Sequence, residues 1–341
     1  MKQLLVILLP FLLAALCVRA QDPSYAIVYS HPLILTPSFA GLAEGTFNAT
    51  LSHRVRTTTP TEKFNTSTLS ANLPVKTSFA YGGVGMLLQT DQAGGIRTTQ
   101  GQFAFAYEAP LGTKVRYHHL RAGFQFGLVQ RQLLKGDYRF EDQFDGIGFS
   151  RPTGEDLSDL SILYPDISLG LMWYRTQKIK GNPEFNHYLG FSVHHINRPV
   201  VEFFDRGKGA RLNMRNTFVG GGRLRTRTPF DLNLHLQYQT QNNSDLWSAS
   251  FFTRFVLYEN NVWFGREKAA FILGSTLRNA EVITAFGGFQ LQKALTVGFG
   301  YDFLITSETL APNSYGGLQV MVSYLVGGQN YRGSAHPFPS F

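Results

Sequence analysis

"LRAGFQFGLV", residues 120–129, is the stretch that decides the fold. Leu120, Ala122, Phe124, Phe126 and Leu128 alternate with Arg121, Gly123, Gln125 and Gly127. A strand turns successive side chains to opposite faces, so this one has a greasy face and a polar or minimal one. The same alternation returns in "LTVGFGYDF" (295–303), "WSASFFTRFVL" (247–257), "LNLHLQY" (232–238) and "DISLGLMWY" (166–174). Abundant Phe (29), Tyr (15) and Gly (34) suit strands, bulges and tight turns, and helix signals are scarce.

Extending the reading along the chain predicts about fourteen strands. They lie near 45–56, 63–73, 81–90, 96–108, 118–129, 165–176, 186–196, 213–225, 231–240, 245–258, 262–276, 281–292, 295–303 and 317–326. Several have the length of about ten residues that crosses a bilayer when tilted. After residue 20 no run approaches the 18 apolar residues of a transmembrane helix. A soluble β-sandwich also alternates. Here, however, the positions between the greasy ones are often Gly, Gln, Arg, Ser or Asn, which suits a wet or plugged lumen backed by lipid. If the first strand rises from the periplasm, the long connections near 130–164, 197–212 and 304–316 all fall outside. The short ones at 226–230, 258–261 and 292–294 fall inside, although short connections near 241–245 and 277–280 also fall outside. The expectation is an all-β fold, a transmembrane antiparallel barrel of fourteen strands over residues 45–326.

The 341-residue chain opens with "MKQLLVILLPFLLAALCVRA", the charged, apolar and small-residue order of a secretory signal, with cleavage expected after Ala20. Lipidation at Cys17 would need a small residue before it, and Leu16 is bulky; a retained anchor is the remaining alternative. Cys17 is the one cysteine, so the mature chain has neither disulfides nor a thiolate metal site. The net charge of +8 falls to +6 without Lys2 and Arg19. The basic residues stand singly, as at Arg54, Arg121, Arg223 and Arg254, with no polybasic block. That argues against nucleic acid and suits an anionic lipid or lipopolysaccharide surface.

Few residues point to chemistry. "VHHIN" (193–197) with Ser192 contains the types of a Ser-His hydrolase, as in a lipid-modifying barrel enzyme. On one strand, though, Ser192 and His194 share a face and His195 takes the other, so one interfacial and one lumen histidine are expected. The connection 130–164 carries Asp137, Glu141, Asp142, Asp145, Glu155, Asp156 and Asp159, but no EF-hand spacing. A solvated exterior loop is the expectation, with a cation bridge to lipopolysaccharide or a partner surface as the alternative. "GGVG" (82–85) and "VGGGRLR" (219–225) lack the Lys-Ser/Thr of a phosphate loop and suit kinks or close-packed lumen positions. Trp173, Trp247, Trp263, Tyr107, Tyr188, Tyr238, Tyr258 and Tyr324 lie near strand ends, where bilayer-interface aromatics belong. No catalytic set, cofactor or metal is predicted.

"AQDPSYAIVYSHPLILTPSFAG" (20–41) resembles the mature start of PorP/SprF-like proteins, outer-membrane components of the Bacteroidetes-type type IX secretion system. Gln21, Asp22 and Pro23 match the family's opening. Pro37, Phe39, Ala40 and Gly41 match its Asn-Pro-Ala-aromatic-Ala-Gly motif, with Thr36 for Asn and Ser38 for Ala. "YLGFSVHHINRP" (188–199) resembles its Gly-x-Ser-x-x-His strand, and "VGFGYDF" (297–303) its Gly-Tyr-x-Tyr-Asp strand. The last strand, "YGGLQVMVSYLV" (315–326), departs, with Gly316 and Gly317 near the family's His-Glu pair; a tail follows at 327–341.

The resemblance implies a non-enzymatic barrel for secretion and gliding. It would bind periplasmic ring proteins, or the C-terminal domain of a secreted surface adhesin for export or anchoring. Residues 21–44 then form a segment at the periplasmic mouth. Pro32 and Pro37 resist helix and Gly41 permits the turn into the first strand. Leu33, Ile34, Leu35, Pro37, Phe39 and Gly41 are the candidates for plugging the lumen or anchoring a partner. A passive diffusion channel is the first rival; the lipid-modifying enzyme is the second.

Overall fold

In the computed structural model the described residues are 25–43, 45–57, 63–76, 81–111, 118–134, 143–149, 160–178, 184–203, 209–226, 228–258, 267–305 and 316–327. Fourteen strands follow one another: β1 Phe47–Thr57, β2 Lys63–Lys76, β3 Tyr81–Ala93, β4 Ile96–Pro110, β5 His118–Leu133, β6 Ser161–Lys178 and β7 Glu184–His194. The second half comprises β8 Arg215–Arg225, β9 Phe230–Gln241, β10 Ser244–Tyr258, β11 Glu267–Arg278, β12 Val282–Leu291, β13 Leu295–Leu304 and β14 Gly317–Val326. Each pairs antiparallel with its chain neighbours, and β1 pairs with β14 in register Leu51↔Val322. The sheet therefore closes, and no strand edge is left unpaired in the hydrocarbon. This is the expected fourteen-stranded barrel. The largest departures are at β5, which runs on to Leu133 rather than 129, at β6, which starts at Ser161 rather than 165, and at β11, which starts at Glu267; residues 262–266 lie outside the described residues.

Burial runs opposite to that of a water-soluble protein. In β9 the side chains of Asp231, Asn233 and His235 are buried, whereas Leu232, Leu234 and Leu236 are 37%, 48% and 50% exposed. In β4 and β5 the outward Phe103, Phe105, Phe124 and Phe126 stack along the wall. An apolar exterior around a polar interior is stable only against lipid, where the backbone ladder satisfies itself. Among the described residues no helix is long and apolar enough to cross a membrane. The long connections, 134–160, 195–214 and 305–316, share the end of the barrel opposite the start of β1 and the end of β14. The β3–β4 and β9–β10 hairpins at that end are tight, turning on the left-handed Gly94 (φ 56°) and Asn242 (φ 56°).

Trp247, Tyr107, Tyr238 and Tyr324 point outward. Tyr188 does not: it is 2% exposed, inside the barrel, with its hydroxyl 2.7 Å from His235 Nδ1. His195 also departs from strict alternation. It follows the last residue of β7 with φ 58°, and this left-handed step turns its ring inward beside that of His194. Of the acidic connection only Asp145 among the singled-out acids is described. Its Oδ1 accepts from the amides of Ile147 (2.9 Å) and Gly148 (2.7 Å), capping a turn. The residues assigned to the signal, 1–20, and the tail after Gly327 lie outside the described residues.

Candidate functional site: the occupied lumen

The barrel interior is filled by the segment that precedes β1. Residues 28–30, 32–34 and 37–39 form three single turns of 3-10 helix. Prolines 32 and 37 each stand at the first position of a turn, where the missing N–H costs nothing and the fixed φ suits the helix. Thr36 caps the third turn, accepting from the Ser38 amide at 3.4 Å. Because the turns are too short to satisfy their own backbone, the wall must do so.

It does so with polar side chains from the inward positions of the strands. The carbonyl of Tyr25 accepts from Arg278 Nη2 (2.7 Å), that of Ile34 from Arg215 Nη2 (3.2 Å) and that of Leu35 from Ser192 Oγ (2.7 Å). Arg121 holds two carbonyls, those of Ser38 (Nε, 2.9 Å) and Ala40 (Nη2, 2.6 Å), while its Nη1 donates to Glu108. Gln319 accepts the amides of Ala26 (2.8 Å) and Ile27 (3.1 Å), and Asn72 accepts that of Gly41 (3.2 Å). His31 lies between two serines, with Nδ1 2.7 Å from Ser70 Oγ and Nε2 2.7 Å from Ser52 Oγ. Burial pushes its pKa down to about 3, so the ring is neutral and donates to one hydroxyl while accepting from the other.

Three glycines let the segment press on the wall. A Cβ on Gly83 would lie 2.3 Å from Gly41 Cα, one on Gly123 2.3 Å from Ser38 N, and one on Gly170 2.2 Å from Thr36 Oγ1. Gly41 itself has φ 69°, the left-handed conformation that lets the chain leave the lumen toward β1.

The candidates from the sequence thus occupy one place. Leu33, Leu35, Pro37, Phe39 and Gly41 are buried in the lumen, and Ile34 is half-buried. They divide their contacts. Leu35 and Phe39 join an inner cluster with Ile27, Tyr29, Met172, Phe252 and Phe286, and the Phe39 ring meets Tyr188 edge-on at 5.6 Å. Leu33 packs with Ala40, Ala104 and Ala106 instead. The residues that sequence reasoning missed are the fixers, Arg215, Arg278, Gln319 and Arg121. Their signal was a guanidinium or amide at the polar position of an otherwise greasy strand.

Ser192 and the two histidines are near one another but differently engaged. Ser192 Oγ donates to Leu35 O, and His194 Nε2 lies 3.1 Å from Ser192 Oγ and 3.2 Å from the same carbonyl. His194 Nδ1 faces Ser168 Oγ at 3.2 Å, and His195 Nδ1 donates to Asp166 at 2.8 Å. The serine proton is thus directed at a backbone carbonyl of the segment rather than at a general base. Among the described residues no cluster of three His, Cys, Asp or Glu could hold a metal ion.

Comparison with solved structures finds other barrels. One is the CymD monoaromatic hydrocarbon channel (11% identity, TM-score 0.47, covering 89% of this chain and 94% of that one). Another is the Pseudomonas putida toluene transporter TodX (11% identity, TM-score 0.44, covering 90% and 98%). No curated protein matches the chain in sequence. The sequence model of the family described as type IX secretion system membrane protein PorP/SprF matches residues 18–324, nearly the whole chain. This outer-membrane barrel, with residues 25–41 seated in its lumen, belongs to the PorP/SprF family of type IX secretion system membrane proteins.

Proposed function

We propose that this barrel is a closed docking component of the type IX secretion and gliding machinery. It holds a periplasmic ring protein or the C-terminal domain of a secreted surface adhesin at the outer membrane. The observation that carries the reading is the seated segment. Arginines, serines and amides of the wall tie residues 25–41 into the lumen, an arrangement that favours a platform over a path for solutes. It also speaks against the passive channel, which needs an open lumen, and against lipid chemistry at Ser192, whose hydroxyl is engaged by the segment. Family membership supports association with the secretion machinery.

The test is affinity capture of the tagged barrel from native outer membrane, with mass spectrometry of what is retained. Secretion-ring proteins or a large adhesin should be recovered. A partnerless barrel that conducts steadily in a planar bilayer would overturn the proposal and restore the channel reading.

A further inference from the structure

The lipid-facing wall carries a cluster that the seated segment does not use. His118 of β5, Arg175 of β6 and His187 of β7 stand opposite one another in register. Alternation turns all three outward, onto the face of Leu120, Leu171 and Leu189, which are 39%, 54% and 62% exposed. Their chain neighbours His119 and Tyr174 point the other way and stack on each other inside the barrel, ring centroids 4.6 Å apart. The cluster lies toward the end of the barrel where β1 starts. His118 opens β5, Arg175 shortly precedes the end of β6 at Lys178, and His187 shortly follows the start of β7 at Glu184.

Aromatic rings frame it. Trp173, on the same face of β6, has its centroid 5.7 Å from that of His118 and 5.3 Å from that of His187. Phe185 stacks on His187 at 4.9 Å. Tryptophan on an outward face near a strand end belongs where hydrocarbon gives way to headgroups.

What the cluster lacks is an anion. None of the three side chains makes a hydrogen bond or a salt bridge among the described residues. The nearest outward positions on the neighbouring strands, such as Leu111, Leu120, Leu189 and Leu224, carry no carboxylate. Arginine does not lose its proton, so Arg175 stays charged on the membrane-facing wall. Such a charge is held where it can reach a counter-charge, and at headgroup depth that is lipid phosphate. The guanidinium fork fits two phosphate oxygens at once, and an imidazole on either side can donate a further N–H. Arg175 Nε and His187 Nδ1 are enclosed, so the contacts fall to the terminal nitrogens of Arg175, to His187 Nε2 and to the half-buried ring of His118.

We propose that His118, Arg175 and His187 form a binding site for one lipid phosphate. The lipid is a phospholipid of the leaflet at this end, its acyl chains running along Leu120 and Leu189. The inference does not rest on the docking reading.

Native mass spectrometry tests it on the full chain in a maltoside detergent, which carries no phosphate. The probes, titrated separately, are phosphatidylethanolamine, phosphatidylglycerol, lipopolysaccharide, inorganic phosphate and a phosphate-free diacylglycerol with the same chains. One saturable phospholipid adduct is expected, at least tenfold tighter than diacylglycerol. Replacing His118, Arg175 and His187 together by Gln should weaken it by about tenfold or more, the scale of a charge-assisted hydrogen bond. Arg175→Lys, which keeps the charge and loses the fork, should give an intermediate loss and carries the comparison if the triple variant does not fold. Lys76→Gln removes a cation at the same end that stands over the Tyr81 ring at 5.3 Å, and should change nothing. Lipopolysaccharide bound in place of phospholipid, with the same dependence on Arg175, identifies the other leaflet as the source and upholds the phosphate site. Equal binding of diacylglycerol, binding unchanged in the Arg175 variants, an equal loss in Lys76→Gln, or inorganic phosphate bound with no lipid adduct would overturn it.

Discussion

Replacing Gly123 and Gly170 together by alanine adds two methyl groups where the plug touches the wall. At Gly123 the new carbon would sit 2.3 Å from Ser38 N and 2.4 Å from Pro37 C; at Gly170, 2.2 Å from Thr36 Oγ1 and 3.1 Å from Pro37 Cδ. Those separations are far inside contact distance, and overpacking of this kind costs about 1–3 kcal/mol per site. Exchanging glycine for alanine within a strand returns about 0.5–1 kcal/mol each. Because both methyls press on the same Pro37–Ser38 turn, the two costs overlap, and a net of about 1–4 kcal/mol is the expectation. Against it stand the two charged hydrogen bonds from Arg121 to Ser38 and Ala40, worth ~1.5–3 kcal/mol each. The perturbation and the tether are therefore comparable. Residues 36–40 should lift away while Tyr25–Ser30 stay held by Arg278 and Gln319, raising the population of the open turn by about ten- to a thousandfold. Hydrogen exchange by mass spectrometry should show that loss of protection at 35–40, and a planar bilayer should show intermittent conductance where the wild type is silent. A folded double variant with wild-type exchange at 35–40 would refute the reasoning, since the plug would then not depend on glycine-sized contacts.

Other consequences follow from the same interior. Arg54 donates to Asp302 at 2.5 Å with both side chains buried, so Arg54→Ala strands a carboxylate and should cost about 3–5 kcal/mol, read as a lower unfolding temperature of the extracted barrel. Asp302 keeps Thr284 and Arg278 as partial partners, so the loss should fall toward the lower end of that range, and Arg54→Lys, which restores a cation, should recover part of it. His31 is neutral in the lumen with its pKa lowered to about 3, whereas a released segment would titrate near 6.5. The folded state then binds fewer protons. Seating is at full strength above pH ~6.5 and weakens by about 1.4 kcal/mol per unit as the pH falls toward 3. Acid should therefore promote protease cleavage within residues 25–41, and His31→Gln should flatten that dependence. Replacing Ser192, His194 and His195 by alanine should leave the lipid profile of the outer membrane unchanged by lipid mass spectrometry; a lost lipid species would revive the enzymatic reading.

Sequence alone determined the strands. An apolar side chain at every second position can face lipid only if the backbone is extended, so period two marked the wall and its outward face wherever it was clean, as in β5, β9 and β13. Where strand chemistry blurs at the ends, as at Ser161–Tyr164 of β6, the boundary was misjudged by four residues, because ladder hydrogen bonds continue past the lipid-facing band. Tyr188 shows the limit of reading by residue type: an aromatic near a strand end suits the bilayer interface, yet its place in the alternation turns it inward to His235. His195 shows the limit of alternation itself, since a single left-handed residue at the end of β7 reverses the side that the pattern assigns.

The opening segment could be read as apolar, proline-punctuated and non-helical, but not as seated. Seating is decided by donors and acceptors brought together from strands far apart in the chain: Arg121, Ser192, Arg215, Arg278 and Gln319 meet residues 25–40 only once the barrel has closed. A local pattern carries the direction of each side chain along its own strand. Which side chains face one another across the lumen depends on register and on β1 meeting β14, and that is a property of the closed sheet alone.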